Sequence, residues 1–123
     1  MREGAAATVF AWGAAVDVAC AAAEQSGHDA AVYELGGLAP LDVEELVAAA
    51  AKTGKLVIAH AGGLSFGPGA ELAAIFAERA ILHLDAPIVR VAGREGPLAR
   101  ADEMSGLPSV AALVDAIHQV VTY

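Results

Sequence analysis

Residues 32–42 read VYELGGLAPLD, and this stretch decides the fold. Val32 to Leu35 are extended in character, Gly36 and Gly37 break the chain, and Pro40-Leu41-Asp42 announce a helix. A strand that runs directly into a capped helix is the repeating step of a parallel α/β sheet. In such sheets, ligands and partner chains dock beyond the carboxyl ends of the strands, where this glycine pair stands.

The same alternation recurs outward from this point. Thr8–Trp12, Ala30–Leu35, Lys55–His60 and Pro87–Ala92 are short apolar runs bounded by glycine, proline or charge. Apolar runs without in/out alternation fit strands covered on both faces. Between them lie helical patterns. Ala14–Ser26 is alanine-rich and stops at Gly27. The second helix is capped by Asp42, with Glu45 three residues on to close a capping box. It presents Val43, Leu46, Val47 and Ala50, then ends at Gly54. Gly69–Ala80 turns Leu72, Ile75 and Phe76 inward, and Ser109–Val121 repeats Val110, Leu113, Val114, Ile117 and Val121 at helical spacing. The expected fold is a three-layer α/β/α sandwich on a mainly parallel sheet in the order 2-1-3-4, one domain over residues 1–123. With only Met1–Gly4 ahead of the first strand, the second strand is expected at an exposed edge.

Composition narrows the function classes. Hydrophobic residues make up 57% of the chain, but 31 of the 123 residues are alanine, a helix former that packs close to a sheet. No apolar run approaches the roughly 20 residues that span a bilayer, and the opening lacks the basic flank of a signal peptide. One cysteine, Cys20, forbids an internal disulfide and suits a reducing cytoplasm; among alanines in a helix it reads as a small buried residue. A net charge of −8 without a basic cluster argues against nucleic acid and anionic membrane surfaces.

Candidate chemistry concentrates at residues 60–71. GGLSFGPG, residues 62–69, joins a strand to a helix N-terminus, a place that holds anions, yet lacks both GxGxxG and GxxxxGK[ST]. A close-passing loop is the simpler reading. His60 ends a strand and could act as base or ligand, but no Cys, Asp or Glu stands at ligand spacing, and the other three histidines are scattered on or near helices. A hydrogen bond from His60 to loop backbone accounts for it. Glu71 suits the first turn of its helix, and Ser65 has no GxSxG context. Trp12, at a strand end, is a core edge or an interface anchor. The residues show no catalytic, cofactor-binding or metal-binding constellation.

Five separated pieces, REG…TVFAWG, VYELGGLAPLD, AAKTGKLVIAH, FGPGAELAA and LDAPIVRVAG…GPL, resemble in order and interval the transketolase C-terminal domain family. Within it the chain is most similar to the C-terminal part of the beta subunit of the decarboxylase component of 2-oxo acid dehydrogenases, of pyruvate or branched-chain type. The resemblance runs from Arg2 to Tyr123. It implies an oxidoreductase that uses thiamine diphosphate and magnesium, held between an alpha subunit and a pyrimidine-binding domain that would precede Met1. The C-terminal domain then supplies subunit contacts and part of the docking site for an acyltransferase core, and is inactive alone.

This chain departs from the family at the same edge. Gly36 and Gly37 stand where the family carries arginine and threonine, Ala61 where it carries glutamate, and Pro68 where it carries an aromatic residue; a proline-any-proline stretch is reduced to Pro97. The expected contact edge is Trp12, Gly36, Gly37, His60, Leu64 and Phe66, with a homodimer through the ends of strands one and three. Phe66 folding back as local core is the competing role. A free-standing module for a small anion or nucleotide and a diverged structural paralogue are the alternative functions.

Overall fold

The computed structural model describes residues 2–36, 41–62, 67–93 and 106–123. Along the chain run β1 (Ala7–Ala11), α1 (Ala15–Gln25), β2 (Ala30–Glu34), α2 (Val43–Thr53), β3 (Leu56–Ala59) and α3 (Pro68–Arg79). A single 3-10 turn (Ile81–His83), β4 (Val89–Val91) and α4 (Val110–Val121) complete it. The four strands are parallel in the order β2-β1-β3-β4, as expected.

Two cores of different texture lie on the two faces of the sheet. Ala7, Val9, Ala11, Val57 and Ala59 face α1 and α4, where Ala15, Ala19, Ala22, Ala116 and Ile117 meet them. Small side chains on both sides let these helices approach closely, which explains the alanine content. Phe10, Leu56 and Ile58 face α2 and α3 and pack on Leu46, Leu72 and Phe76. Phe10 and Phe76 meet with centroids 4.8 Å apart, in tilted contact. The three layers follow from this division.

Local signals place the helices. Asp42 caps α2 by accepting from the Glu45 N–H at 3.1 Å. Gly54 ends α2 at φ 69°, and a Cβ there would lie 2.5 Å from the His83 carbonyl oxygen. Ser109 Oγ accepts from the Ala112 N–H and caps α4. Pro68 opens α3 at a position whose missing N–H costs nothing.

Several expectations are corrected. The first strand is shifted one residue earlier, from Thr8–Trp12 to Ala7–Ala11, because Ala7 pairs with Ala30; the other three are trimmed, from Ala30–Leu35 to Ala30–Glu34, Lys55–His60 to Leu56–Ala59 and Pro87–Ala92 to Val89–Val91, because ladder pairing stops short of the apolar runs. The edge of β2 is not bare: Arg2 and Val32 exchange backbone hydrogen bonds of 3.0 and 2.9 Å in an antiparallel bridge. The capping box closes on one side only, since the Glu45 carboxylate accepts from the Tyr33 hydroxyl instead. In α4 the buried stripe is Leu113, Ala116, Ile117 and Val120, with Val121 at its margin. Cys20 is half-buried rather than buried.

Candidate functional site

β1 and β3 are neighbours with Ala11 level with Ala59, so the residues that follow them, Trp12 and His60, emerge side by side at the carboxyl end of the sheet. Their rings stack, with centroids 5.2 Å and planes 6° apart. His60 is only 2% exposed, while Trp12 is half-buried. The imidazole Nδ1 lies 2.8 Å from the Ala61 carbonyl oxygen and must donate to it. This is the loop-backbone bond expected of His60.

In the uncharged ring, Nε2 then presents a buried lone pair with no hydrogen-bond partner among the described residues. It faces Gly69, in the first turn of α3. A Cβ at position 69 would lie 2.6 Å from His60 Cδ2 and closer still to Nε2. Glycine is required there by close approach, and the contact closes the helix N-terminus against an anion reaching it from His60.

Beyond the Trp12 ring, a cavity of about 180 Å³ opens between the N-terminal ends of α2 and α3, lined by Trp12, Leu35, Leu41, Pro68, Glu71 and Leu72. Glu71 is its single ionisable group, so the cavity suits an apolar side chain. Gly36 is exposed at the end of β2 close by. Gly37, Leu64 and Phe66 lie outside the described residues.

On the outer side of β2, Tyr33 packs on Phe10 and donates its hydroxyl to Glu45. Burial, first, and then the Glu45 hydrogen bond and the Glu45 and Asp42 charges push the phenol up to about 12.

One constellation escaped the sequence. His28, in the turn after α1, and His118, in the last turn of α4, bring Nε2 and Nδ1 to 3.2 Å, with ring centroids 5.4 Å apart. These histidines are therefore paired, not scattered; only a topology that lays α1 beside α4 reveals it. Among the described residues no group of three or more His, Cys, Asp or Glu side chains could hold a metal ion.

Residues 1–110 match the family model described as "Transketolase, C-terminal domain". The chain belongs to this family. It is 43% identical over 120 residues to the 2-oxoisovalerate dehydrogenase subunit beta of Pseudomonas aeruginosa, covering 98% of this chain and 34% of that protein. It is 35% identical over 127 residues to the pyruvate dehydrogenase E1 component subunit beta of Leifsonia xyli, covering 100% of this chain and 38% of that one. A solved structure described as a split gene transketolase, inactive beta4 tetramer, superposes with a TM-score of 0.79 at 29% identity, over 98% of this chain and 40% of the other. The chain thus spans little more than a third of the length of the beta subunits it matches. No helix among the described residues is long and apolar enough to cross a membrane.

Proposed function

We propose that this transketolase C-terminal domain is the subunit-contact part of a thiamine-diphosphate-dependent 2-oxo acid dehydrogenase, within the beta subunit of its decarboxylase component, and is catalytically inert alone. The observation that carries the reading is the match of nearly the whole chain to beta subunits roughly three times its length. The site chemistry agrees. A diphosphate with its magnesium needs converging oxygen ligands, and the described residues at the carboxyl end of the sheet offer an apolar cavity and a histidine closed off by Gly69. These residues do not fit the cofactor. Thiamine diphosphate belongs with the other parts of the assembly.

The partners on this reading are an alpha subunit, a pyrimidine-binding domain and an acyltransferase core, in the cytoplasm. A second copy of the chain meets it at the carboxyl end of the sheet, through Trp12, Gly36, Gly37, Leu64 and Phe66; His60, expected at this contact edge, is buried and supports the Trp12 ring instead of meeting a partner. Because that edge is apolar, its association responds little to salt and is weakened by Phe66→Ala. Calorimetric titration of thiamine diphosphate with magnesium into the purified chain tests the reading: no heat of binding is expected. Stoichiometric, micromolar binding would overturn it.

A further inference from the structure

The edge of the sheet formed by β2, opposite β4, holds a small polar cavity that the proposed function does not use. α2 packs on β1 and α3, and Ala31 and Tyr33, on one face of β2, stay half-buried. The amino-terminal segment is tied to β2 by the Arg2–Val32 bridge and by Arg2 Nε, which donates to the Ala30 carbonyl at 3.0 Å. The cavity between them measures about 100 Å³, and its polar lining is Arg2, Glu3, Thr8, Tyr33 and Lys52.

The unengaged side-chain donors of that lining are all cationic. The Tyr33 hydroxyl donates to Glu45. Thr53 Oγ1 donates to the Lys55 carbonyl, so the Thr8 hydroxyl, 2.9 Å away, donates to Thr53. Lys52 bonds to nothing among the described residues, and the terminal nitrogens of Arg2 have no partner there either. The other described lysines and arginines are engaged: Lys55 with the Val121 carbonyl, Arg79 with Glu44, and Arg90 as well. On a chain of net charge −8, two uncompensated cations therefore meet at one cavity. Lys52 on its own suits the last turn of α2, where it complements the helix dipole. That does not account for Arg2, which reaches the same cavity from the amino-terminal segment.

We propose that this cavity binds a small oxyanion of phosphate size and charge, held by the guanidinium fork of Arg2 and the ammonium of Lys52. The planar arginine donors match two oxygens at once, and the lysine adds a point charge. The volume fits. A water needs about 10–15 Å³ on this measure, so the oxygens of phosphate are accommodated, whereas pockets for drug-sized ligands measure roughly 300 Å³ and more. The cavity takes the anion alone, not a nucleotide or thiamine diphosphate. Glu3, exposed, is the one carboxylate in the lining and makes no ion pair with either cation among the described residues. It lowers the affinity without occupying the site. This site is separate from the contact edge at the carboxyl end of the sheet.

Phosphorus NMR of inorganic phosphate, titrated into the protein purified from its own cells with sodium chloride holding the ionic strength constant, tests the site. The bound fraction, read from line broadening, is expected to saturate. Arg2→Gln should weaken the dissociation constant about tenfold and Lys52→Gln about threefold. Glu3→Gln should tighten it about threefold. Arg79→Gln, which removes the same charge away from the cavity, should leave it unchanged. Lys52→Gln guards against an effect on folding, because that exposed side chain bonds to nothing among the described residues. Absence of saturable broadening overturns the proposal. So does a saturable site that Arg2→Gln and Lys52→Gln leave intact, or one that Arg79→Gln weakens as much as they do.

Discussion

The imidazole of His60 lies flat against the indole of Trp12, 5.2 Å between centroids and 6° between planes, with its Nε2 turned away toward Gly69. Two strand ends and a helix N-terminus are thereby locked to one another by one buried polar side chain. A histidine held so tightly serves position rather than proton transfer: one nitrogen is committed to Ala61 and the other is sealed.

Gly69→Ala forces a methyl group into the His60 ring. Overpacking of this kind costs about 1–3 kcal/mol. Urea unfolding of Gly69→Ala, His60→Ala and the double variant is expected to show coupling of about 1 kcal/mol or more, because removing the imidazole makes room for the methyl. Strict additivity would refute the contact.

Phe76→Ala removes the ring that meets Phe10 in tilted contact and lines the large-residue face of the sheet. A loss of about 3–5 kcal/mol is expected. On the other face, Cys20→Ala changes a half-buried side chain at the margin of an alanine-packed layer, and denaturation should register well under half that loss.

Tyr33 gives an alkaline signature. Its phenol is held up at about 12 in the folded state, against 10.0 for the free side chain. The folded state therefore keeps its proton where the unfolded chain releases it. The associated stability is intact below pH 10 and is lost as pH rises through about 12. Tyr33→Phe should flatten that decline. Parallel stability curves for wild type and Tyr33→Phe between pH 10 and 12 would show that the raised phenol is not coupled to folding.

The His28–His118 contact places one proton between two rings, so one bridging nitrogen donates and the other accepts. Nitrogen-detected NMR should show one protonated and one bare nitrogen across the pair. The double-mutant cycle His28→Ala/His118→Ala should give about 0.5–1.5 kcal/mol. Independent tautomer equilibria in the two rings would remove the bond.

The strand order, the three layers, the cap at Asp42 and the stop at Gly54 were legible because each rests on local chemistry: short apolar runs, a carboxylate at a helix start, glycine where φ turns positive. The Glu45 pattern misled, since a capping box is a local motif and the Tyr33 hydroxyl that captures the carboxylate arrives from β2, outside that motif. Trp12 was left open between core edge and anchor; half-buried, it stacks on His60 with one face and lines a cavity. The His28–His118 pair joins residues 90 positions apart, and nothing in either neighbourhood announces it. Ile81, Leu82 and Tyr123 stand exposed, and only the fold shows which apolar side chains the core leaves out.

Purification of the epitope-tagged protein from its own cells, with mass-spectrometric identification and stoichiometry of what accompanies it, tests the central claim most directly. The account predicts an assembly containing, in fixed proportion, the remaining parts of a 2-oxo acid dehydrogenase decarboxylase: pyrimidine-binding sequence, whether on the same polypeptide or another, and an alpha subunit. A protein recovered in full without either, under conditions that preserve related dehydrogenase complexes, would contradict it.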